Sequence, residues 1–532
     1  MKKYSTVRLI WLLLPWLAAC AAAPPDDGRE RINQALSARG VALPADADQA
    51  TPALPESVTG ELTRSDAVLH ALTRNPRVQR EYQRLDLAAA DIVAASQLSN
   101  PRLSLSWLRP EGGGGNETGV GIAQNFAGLL LRPALREQAD ARYEAGLLRA
   151  EAAIHHLAAD TESAWYALVA AEQTLQVQQL VTRAAMLAAE LAERFREAGN
   201  INALKLATLH AEAAEARFAL ISARRARDKA HNELGRFMDV APSMDWSVPE
   251  QLPLPPAEMP PAAALIDTAL ARRPDILAAE ADEAWLEDNV ALVNRYRWLG
   301  DLDVGLRHER ESDGTRLTGP TLGLSLPLFH RNQAGVLAAR AQLGYARLSR
   351  ETLRSETGHT IEQLHHELHW LSESLTVRED VLLPARAQVV ARRQERVNYM
   401  FDGIFDLLAA KQDELSAWQA QVVTLADYWQ VRTRLVLAVG GEWDREWEAM
   451  ADKAVLDTRG LEHDPQGAGH DHHDHQDHQD HQDHQDHQDH QDHQDHQDHQ
   501  DHQDHQDHQD HQDHQGHHDH HDHHDHHQGG HH

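Results

Sequence analysis

A short segment and the pattern that follows it occur twice, about 200 residues apart, and this repetition restricts the fold more than any other feature of the chain. Ala71-Leu72-Thr73-Arg74-Asn75-Pro76 returns as Ala269-Leu270-Ala271-Arg272-Arg273-Pro274. Each copy then runs through a helical stretch, an alternating stretch, a Gly-containing turn and a second alternating stretch closed by Phe126 or Phe329. A very long helical stretch follows, ending near Gly199 or Gly403, and then a further helix ending near Gly235 or Gly440. One unit written twice predicts repeats over residues 61–240 and 261–445, with linkers at 241–260 and 446–462.

The alternating stretches read as strands, because side chains on a strand point to opposite faces in turn. Leu103, Leu105 and Trp107 share one face, with Arg102, Ser104 and Ser106 on the other. Leu302, Val304 and Leu306 oppose Asp303 and Arg307, and Leu322, Leu324, Leu326 and Leu328 oppose Gly323 and Ser325. Segment 118–126 is weaker, since Gln124 interrupts its apolar face. Turns at Gly112 to Gly115 and at Asp313-Gly314 make two hairpins.

The long stretches keep a seven-residue register. Leu147, Ile154, Thr161, Leu168 and Leu175 lie seven apart, accompanied three residues later by Ala150, Leu157, Ala164 and Ala171. Ile361, Leu368, Leu375, Leu382 and Val389 repeat the spacing in the second copy. Such a seam suits coiled-coil packing. Helices from about 130 to 197 and from about 331 to 398 would each be roughly 100 Å long at ~1.5 Å per residue. Pro384 predicts a kink in the second. A soluble coiled-coil rod would account for the helices but not for the hairpins.

Four strands of about nine residues with one apolar face match membrane-barrel strands. Four cannot close on themselves, and an open edge in lipid leaves backbone groups unpaired at a cost of several kcal/mol each. Several chains sharing one barrel remove the edges, so the strand count predicts an oligomer and leaves the number of chains open.

The two ends add what the repeat lacks. Lys2, Lys3 and Arg8 precede an apolar run from Leu9 to Leu17 and then Leu17-Ala18-Ala19-Cys20, the order of a bacterial signal peptide over residues 1–19. The run is too short to span a membrane permanently. Cys20 is the only cysteine and stands where the peptide would be cut, which resembles a lipobox whose thiol is acylated. A plain cleaved signal is the competing reading. Residue 21 is Ala and not Asp, which in the lipoproteins this resembles favours the outer membrane. Residues 20–60, rich in Ala, Pro and Asp without helical period, read as a lipidated tether with little structure.

Residues 463–532 are almost wholly His, Asp, Gln and Gly, and hold 28 of the 39 histidines. They also hold 19 Asp and no Lys or Arg, so the formal charge of -32 leaves 63 acids against 50 bases, or -13, before them. A polymer with nothing apolar to bury is expected to be disordered. Imidazoles with interleaved carboxylates are ligands for zinc, nickel, cobalt and copper(II). The candidates are His470, His472, His473, His475, His478, His517, His518, His520, His521, His523, His524, His526 and His527. With one Cys and seven Met the chain has no soft-ligand ladder for copper(I), so divalent ions are favoured. No cofactor is required by anything in the chain, and an incidental repeat expansion is the competing account of the tail.

No enzyme signature accompanies these features. Gly112 to Gly115 is not followed by Gly-Lys-Ser/Thr, so it is no phosphate loop. His365, His366 and His369 form a second cluster, yet His-His-Glu-Leu-His lacks the zinc-protease order and reads as a solvated helix face. There is no Ser/His/Asp set or dinucleotide fingerprint, and no basic face for nucleic acid.

From about residue 61 to 445 the chain resembles TolC-type outer-membrane efflux proteins, most like those of heavy-metal efflux systems. The resemblance rests on the two Ala-Leu-x-x-x-Pro helix starts, on Leu324-Ser325-Leu326-Pro327-Leu328-Phe329, and on Gly199-Asn200-Ile201-Asn202-Ala203-Leu204 with Gly403-Ile404-Phe405-Asp406-Leu407-Leu408. It implies a mainly α fold with a small β part, as two helix-hairpin-helix repeats. Long coiled-coil helices would form an α-barrel, and four strands per chain would contribute to a shared, trimeric, twelve-stranded membrane β-barrel. It also implies a homotrimer in outer-membrane lipid, docking a periplasmic adaptor (membrane fusion protein) and an inner-membrane pump of the resistance-nodulation-division type.

By position, Gly199, Asn200 and Gly403 would be adaptor-contacting tips, the second about two residues shorter than the first. Asp406, with Asp402 beside it, would ring the tunnel mouth, while Ala409 replaces the family's second carboxylate. A solvated helix-start acid is the competing reading of Asp406. The functions this leaves open are a heavy-metal efflux channel, the same channel for drugs or secreted proteins, and a metal-binding lipoprotein without a pore.

Overall fold

The computed structural model describes residues 28–38 and 61–441, except 110, 113, 114, 243, 245 and 256–258. The segments expected as signal peptide, most of the tether, the 446–462 linker and the histidine tail lie outside the described residues.

Elements follow one another in the same order twice. Helices α2 (Arg64–Arg74) and α3 (Pro76–Ser96) lead to strands β1 (Arg102–Leu108) and β2 (Glu117–Asn125), then α4 (Ala127–Glu197) and α5 (Ala203–Met238). Helices α6 (Ala262–Arg272) and α7 (Pro274–Arg295) lead to β3 (Leu302–Arg310) and β4 (Arg316–Leu324). Then come α8 (Gln333–Val377), a π-turn (Arg378–Leu382), α9 (Leu383–Asn398) and α10 (Ile404–Val439). The start of each unit is fastened to its end in the same way. Asn75, just before Pro76, donates from Nδ2 to the Phe237 carbonyl at 2.8 Å, and Arg273, just before Pro274, donates to the Ala438 carbonyl at 2.9 Å. Both acceptors lie one residue from a helix end, where carbonyls have no intrahelical partner.

The four strands make one antiparallel sheet in chain order, because β2 pairs with β3 and so joins the two hairpins. The register places Leu103 beside Ile122, Ile122 beside Leu306, and Val304 beside Leu322. All of these lie on one face and are exposed, Leu105 at 74% and Leu322 at 72%. The opposite face carries Ser104, Ser106, Gly121, Arg307 and Thr321. Leu326 and Leu328, expected to continue the last strand, lie beyond it. Ser325 still donates to the Asp301 carbonyl, but Pro327 has no N–H to give the ladder.

Helix α4 runs unbroken for 71 residues, its Leu147, Ile154, Thr161, Leu168 and Leu175 all buried. Opposite it, α10 supplies Trp429, whose ring stacks on Tyr166 at 4.9 Å and whose Nε1 donates to the Pro253 carbonyl at 2.8 Å. This aromatic seam locks the two halves together, and Trp246, Val248 and Leu252 of the linker are buried against the same core.

The second long helix departs from its heptad. Leu375 is buried, yet Leu382 is only half-buried and Val389 is 45% exposed; burial passes instead to Leu383. The cause is the π-turn, in which the Leu383 N–H donates to the Arg378 carbonyl five residues back. One extra residue per turn advances the inward face by one position. Pro384 follows directly: its missing N–H and bulky ring are accommodated by the widened turn, and the helix continues.

The expected tether also needs correction. Arg29–Ala38 is a helix, α1, with Ile32 and Leu36 buried. Arg31 clamps Glu144 of α4 through two bonds of 2.8 and 2.6 Å, and Arg29 lies over the Tyr82 ring. Gly28 precedes it at φ +74°, where a Cβ would fall 2.6 Å from Leu147. Ten residues with two apolar positions show no readable period and are marginal alone. Burial against α4 makes the helix.

Candidate functional site

The two ends most distant from the sheet along the long helices are the turns between α4 and α5 and between α9 and α10. At the first, the Gly199 N–H donates to the Arg196 carbonyl at 3.0 Å and the Asn200 N–H to Phe195 at 2.8 Å. This pair of bonds is a Schellman closure, which requires a left-handed residue, and Gly199 supplies it at φ +78°. Asn202 then caps α5, its Oδ1 accepting from the Lys205 N–H at 2.8 Å.

The second tip closes through the same bonds shifted to other residue types. Met400 donates to Val397 at 2.9 Å and Phe401 to Arg396 at 2.8 Å. Met400 therefore holds the left-handed place, at φ +60°. Gly403 is not the counterpart of Gly199. It has an extended backbone and stands at the N-cap of α10, the position of Asn202. Five residues, 198–202 and 399–403, separate the helices at both tips, so the second is not shorter. Glycine therefore stands at different positions of the two turns. Phe195 and Phe405 meet edge to face at 5.5 Å and bind one tip to the other.

Asp402 and Asp406, expected together at a tunnel mouth, are in different situations. Asp402 is nearly buried, its carboxylate held by Arg396 at 2.8 and 2.9 Å and by Arg393 at 2.7 Å. Hydrogen bonds from Arg396 and then Arg393 hold its pKa down to about 2. Its charge is thus neutralised within the chain. Asp406 is exposed; one oxygen accepts from the Gly403 N–H at 3.2 Å, so it caps the first turn of α10 and keeps its charge available to solvent. Gly403 has no side chain to return the bond. Ala409 is exposed one turn further on.

Arg393 and Arg396 were not legible as functional in the sequence. Their spacings to Asp402, nine and six residues, are not helix spacings, and the pairing exists only because the chain reverses at Met400. Met400 itself gave no turn signal, since methionine is not a left-handed residue by habit. Cys20 and the histidines from His470 to His527 lie outside the described residues. Of the α8 cluster, His365 faces inward and shares a hydrogen bond with the Pro260 carbonyl at 3.0 Å, while His366 and His369 are exposed. Among the described residues no helix is long and apolar enough to cross a membrane, and no three ligating groups converge on a metal position.

Residues 265–441 match the family model described as outer membrane efflux protein. No curated protein matches the chain by sequence. Solved structures with the same fold include CusC, at 16% identity and a TM-score of 0.58, covering 72% of this chain and 93% of that one. The Campylobacter jejuni CmeC outer membrane channel is similar at 15% identity and a TM-score of 0.57, covering 73% and 88%. The open state of the Neisseria gonorrhoeae MtrE outer membrane channel is similar at 17% identity and a TM-score of 0.60, covering 72% and 90%. At these identities the structures speak for the fold alone, a fold shared with outer-membrane channel proteins, and the family match covers the second of the two repeats, residues 265–441.

Proposed function

We propose that the chain is the outer-membrane conduit of a tripartite system exporting divalent heavy-metal cations from the periplasm. The observation that carries the channel is the sheet. Four strands with one exposed apolar face and two unpaired edges fit a barrel completed by other copies, and a homotrimer would close twelve strands. Acylation at Cys20 would anchor the amino terminus without inserting the body. The tips around Gly199, Asn200, Met400 and Gly403 would meet the periplasmic adaptor, with an inner-membrane pump of the resistance-nodulation-division type supplying the energy. Asp406 is the acid available to ring the tunnel mouth.

The cation assignment rests on the tail, whose 28 histidines and 19 aspartates would collect or buffer zinc, nickel, cobalt or copper(II). Two measurements separate the readings. Conductance of the purified oligomer in planar bilayers is expected; monomers without conductance would leave a metal-binding lipoprotein. Loss of zinc, nickel, cobalt or copper tolerance on deleting the whole gene is expected, and unchanged tolerance would sink the metal cargo in favour of drugs or secreted proteins. A second strain lacking only residues 463–532 reports the tail's share.

A further inference from the structure

Helix α8 carries a second set of metal donors, remote in sequence from the tail. His359, Glu362, His366, His369 and Glu373 are spaced alternately three and four residues apart, and all five are exposed. Ile361, Leu364, Leu368 and Leu375 are buried on the other side of the same helix. The five therefore form one stripe, about 21 Å long at ~1.5 Å per residue. Side chains three or four apart on a helix are neighbours, with Cβ atoms about 5–6 Å apart, so each consecutive pair can chelate one ion between an imidazole nitrogen and a second donor.

Two further observations set this stripe apart from an ordinary solvated face. Three bases earlier on α8 are engaged in ion pairs: Arg347, Arg350 and Arg354 each hold Glu280, Glu283 or Glu287 of α7. No hydrogen bond or ion pair engages the five stripe residues among the described residues; the rings of His366 and His369 only lie near those of His365 and Trp370. His359, Glu362 and His366 also line a single open cleft together with Trp370. The acid and the two imidazoles thus face a common space with their lone pairs free.

We propose that this stripe is a ladder of overlapping two-donor sites for divalent transition-metal ions. Its rungs are His359 with Glu362, Glu362 with His366, His366 with His369, and His369 with Glu373. No three of these side chains converge, which is why the sites are weak, with water completing each coordination sphere. Each inner residue belongs to two rungs, so an ion passes to the next by exchanging one ligand. Passage along a surface requires sites that bind enough to admit an ion and weakly enough to release it. Binding at the ladder stands on its own geometry; its use in transport rests on the cation-efflux reading.

The test is carbethoxylation of histidines in the purified full-length protein with and without Zn2+, repeated with Ni2+, at concentrations that saturate the tail. Trypsin releases all the α8 histidines in one peptide, Ser355–Arg378. Several-fold protection of His366 and His369 by metal is expected, with exposed, isolated His330 unprotected as the internal reference. Glu362→Ala should weaken protection at His366 and leave that at His369, and Glu362→Ala with His369→Ala should abolish it at His366. Unchanged modification of the α8 peptide while the tail histidines are protected overturns the proposal, as does full protection of His366 in the double variant. Protection in a protein whose gene deletion leaves metal tolerance unchanged keeps the ladder and removes only its transport role.

Discussion

Gly199 and Met400 occupy the same left-handed position in two turns closed by the same pair of hydrogen bonds. Glycine adopts it freely, whereas a side chain there costs about 1–2 kcal/mol. Met400 is 92% exposed, so no burial offsets that cost within the chain. Met400→Gly should stabilise the second tip by about 0.5–1 kcal/mol after the flexibility glycine adds to the unfolded chain, and Gly199→Ala should destabilise the first by about 1 kcal/mol. Hydrogen exchange of the amides around 195–202 and 396–403 reads both. A Met400→Gly tip that opens more readily than the parent would contradict the strain assigned to Met400.

The Asp402 clamp has a defined pH window. Its folded pKa, about 2, lies below the ordinary carboxylate value near 4. The stability it contributes is therefore present in full above the unfolded value and is lost as pH falls from about 4 towards 2. Protease sensitivity of the 399–403 turn should be constant from neutral pH to about 5 and rise below 4. Asp402→Asn, which keeps the shape but not the charge, should raise the sensitivity at neutral pH and flatten the acid dependence. An unchanged acid limb in that variant would assign the transition to another carboxylate.

Pro384 and the π-turn before it are expected to depend on each other. Deleting Val381, an exposed residue of the turn, returns the helix to ordinary register and brings the proline ring against the preceding turn, a clash of about 3 kcal/mol. Combined with Pro384→Ala the deletion should be far milder, because an alanine fits the regular helix. Thermal unfolding of the single and double variants gives the coupling; additive losses would mean that the turn has a cause other than the proline.

The two faces of the sheet should respond oppositely to charge. Leu105→Arg places a guanidinium on the apolar face, costing about 2–4 kcal/mol if the site lies near the bilayer midplane. Ser106→Arg, one residue on, places it on the face that already carries Arg307. The first should lower the amount of folded protein recovered in outer membranes, and the second should leave it close to the parent. Equal recovery of both would remove lipid as the occupant of the Leu105 face.

Much of this architecture was legible because it is written in local periods. Leu103, Leu105 and Trp107 alternate, and Leu147 to Leu175 recur every seven residues, so strand face and helix seam follow from chain geometry alone. The legibility failed wherever two distant segments had to meet. The heptad predicted Leu382 and Val389 inward, but the π-turn before Pro384 moved the buried face to Leu383. Arg29–Ala38 has too few apolar residues to announce a helix, and only the surface of α4 makes it one.

The sequence by itself determined the doubled unit, the apolar face of each strand and the need for other chains to close the sheet, since these depend on spacing and on counting strands. Only the tertiary structure decided that β2 pairs with β3, that Met400 and not Gly403 answers Gly199, and that Arg393 and Arg396 neutralise Asp402 while Asp406 caps α10 and stays exposed. Each of those facts depends on where the chain turns back on itself. A turn is set by a few hydrogen bonds that many residue types can make, so the sequence marks it faintly and the packing around it fixes it.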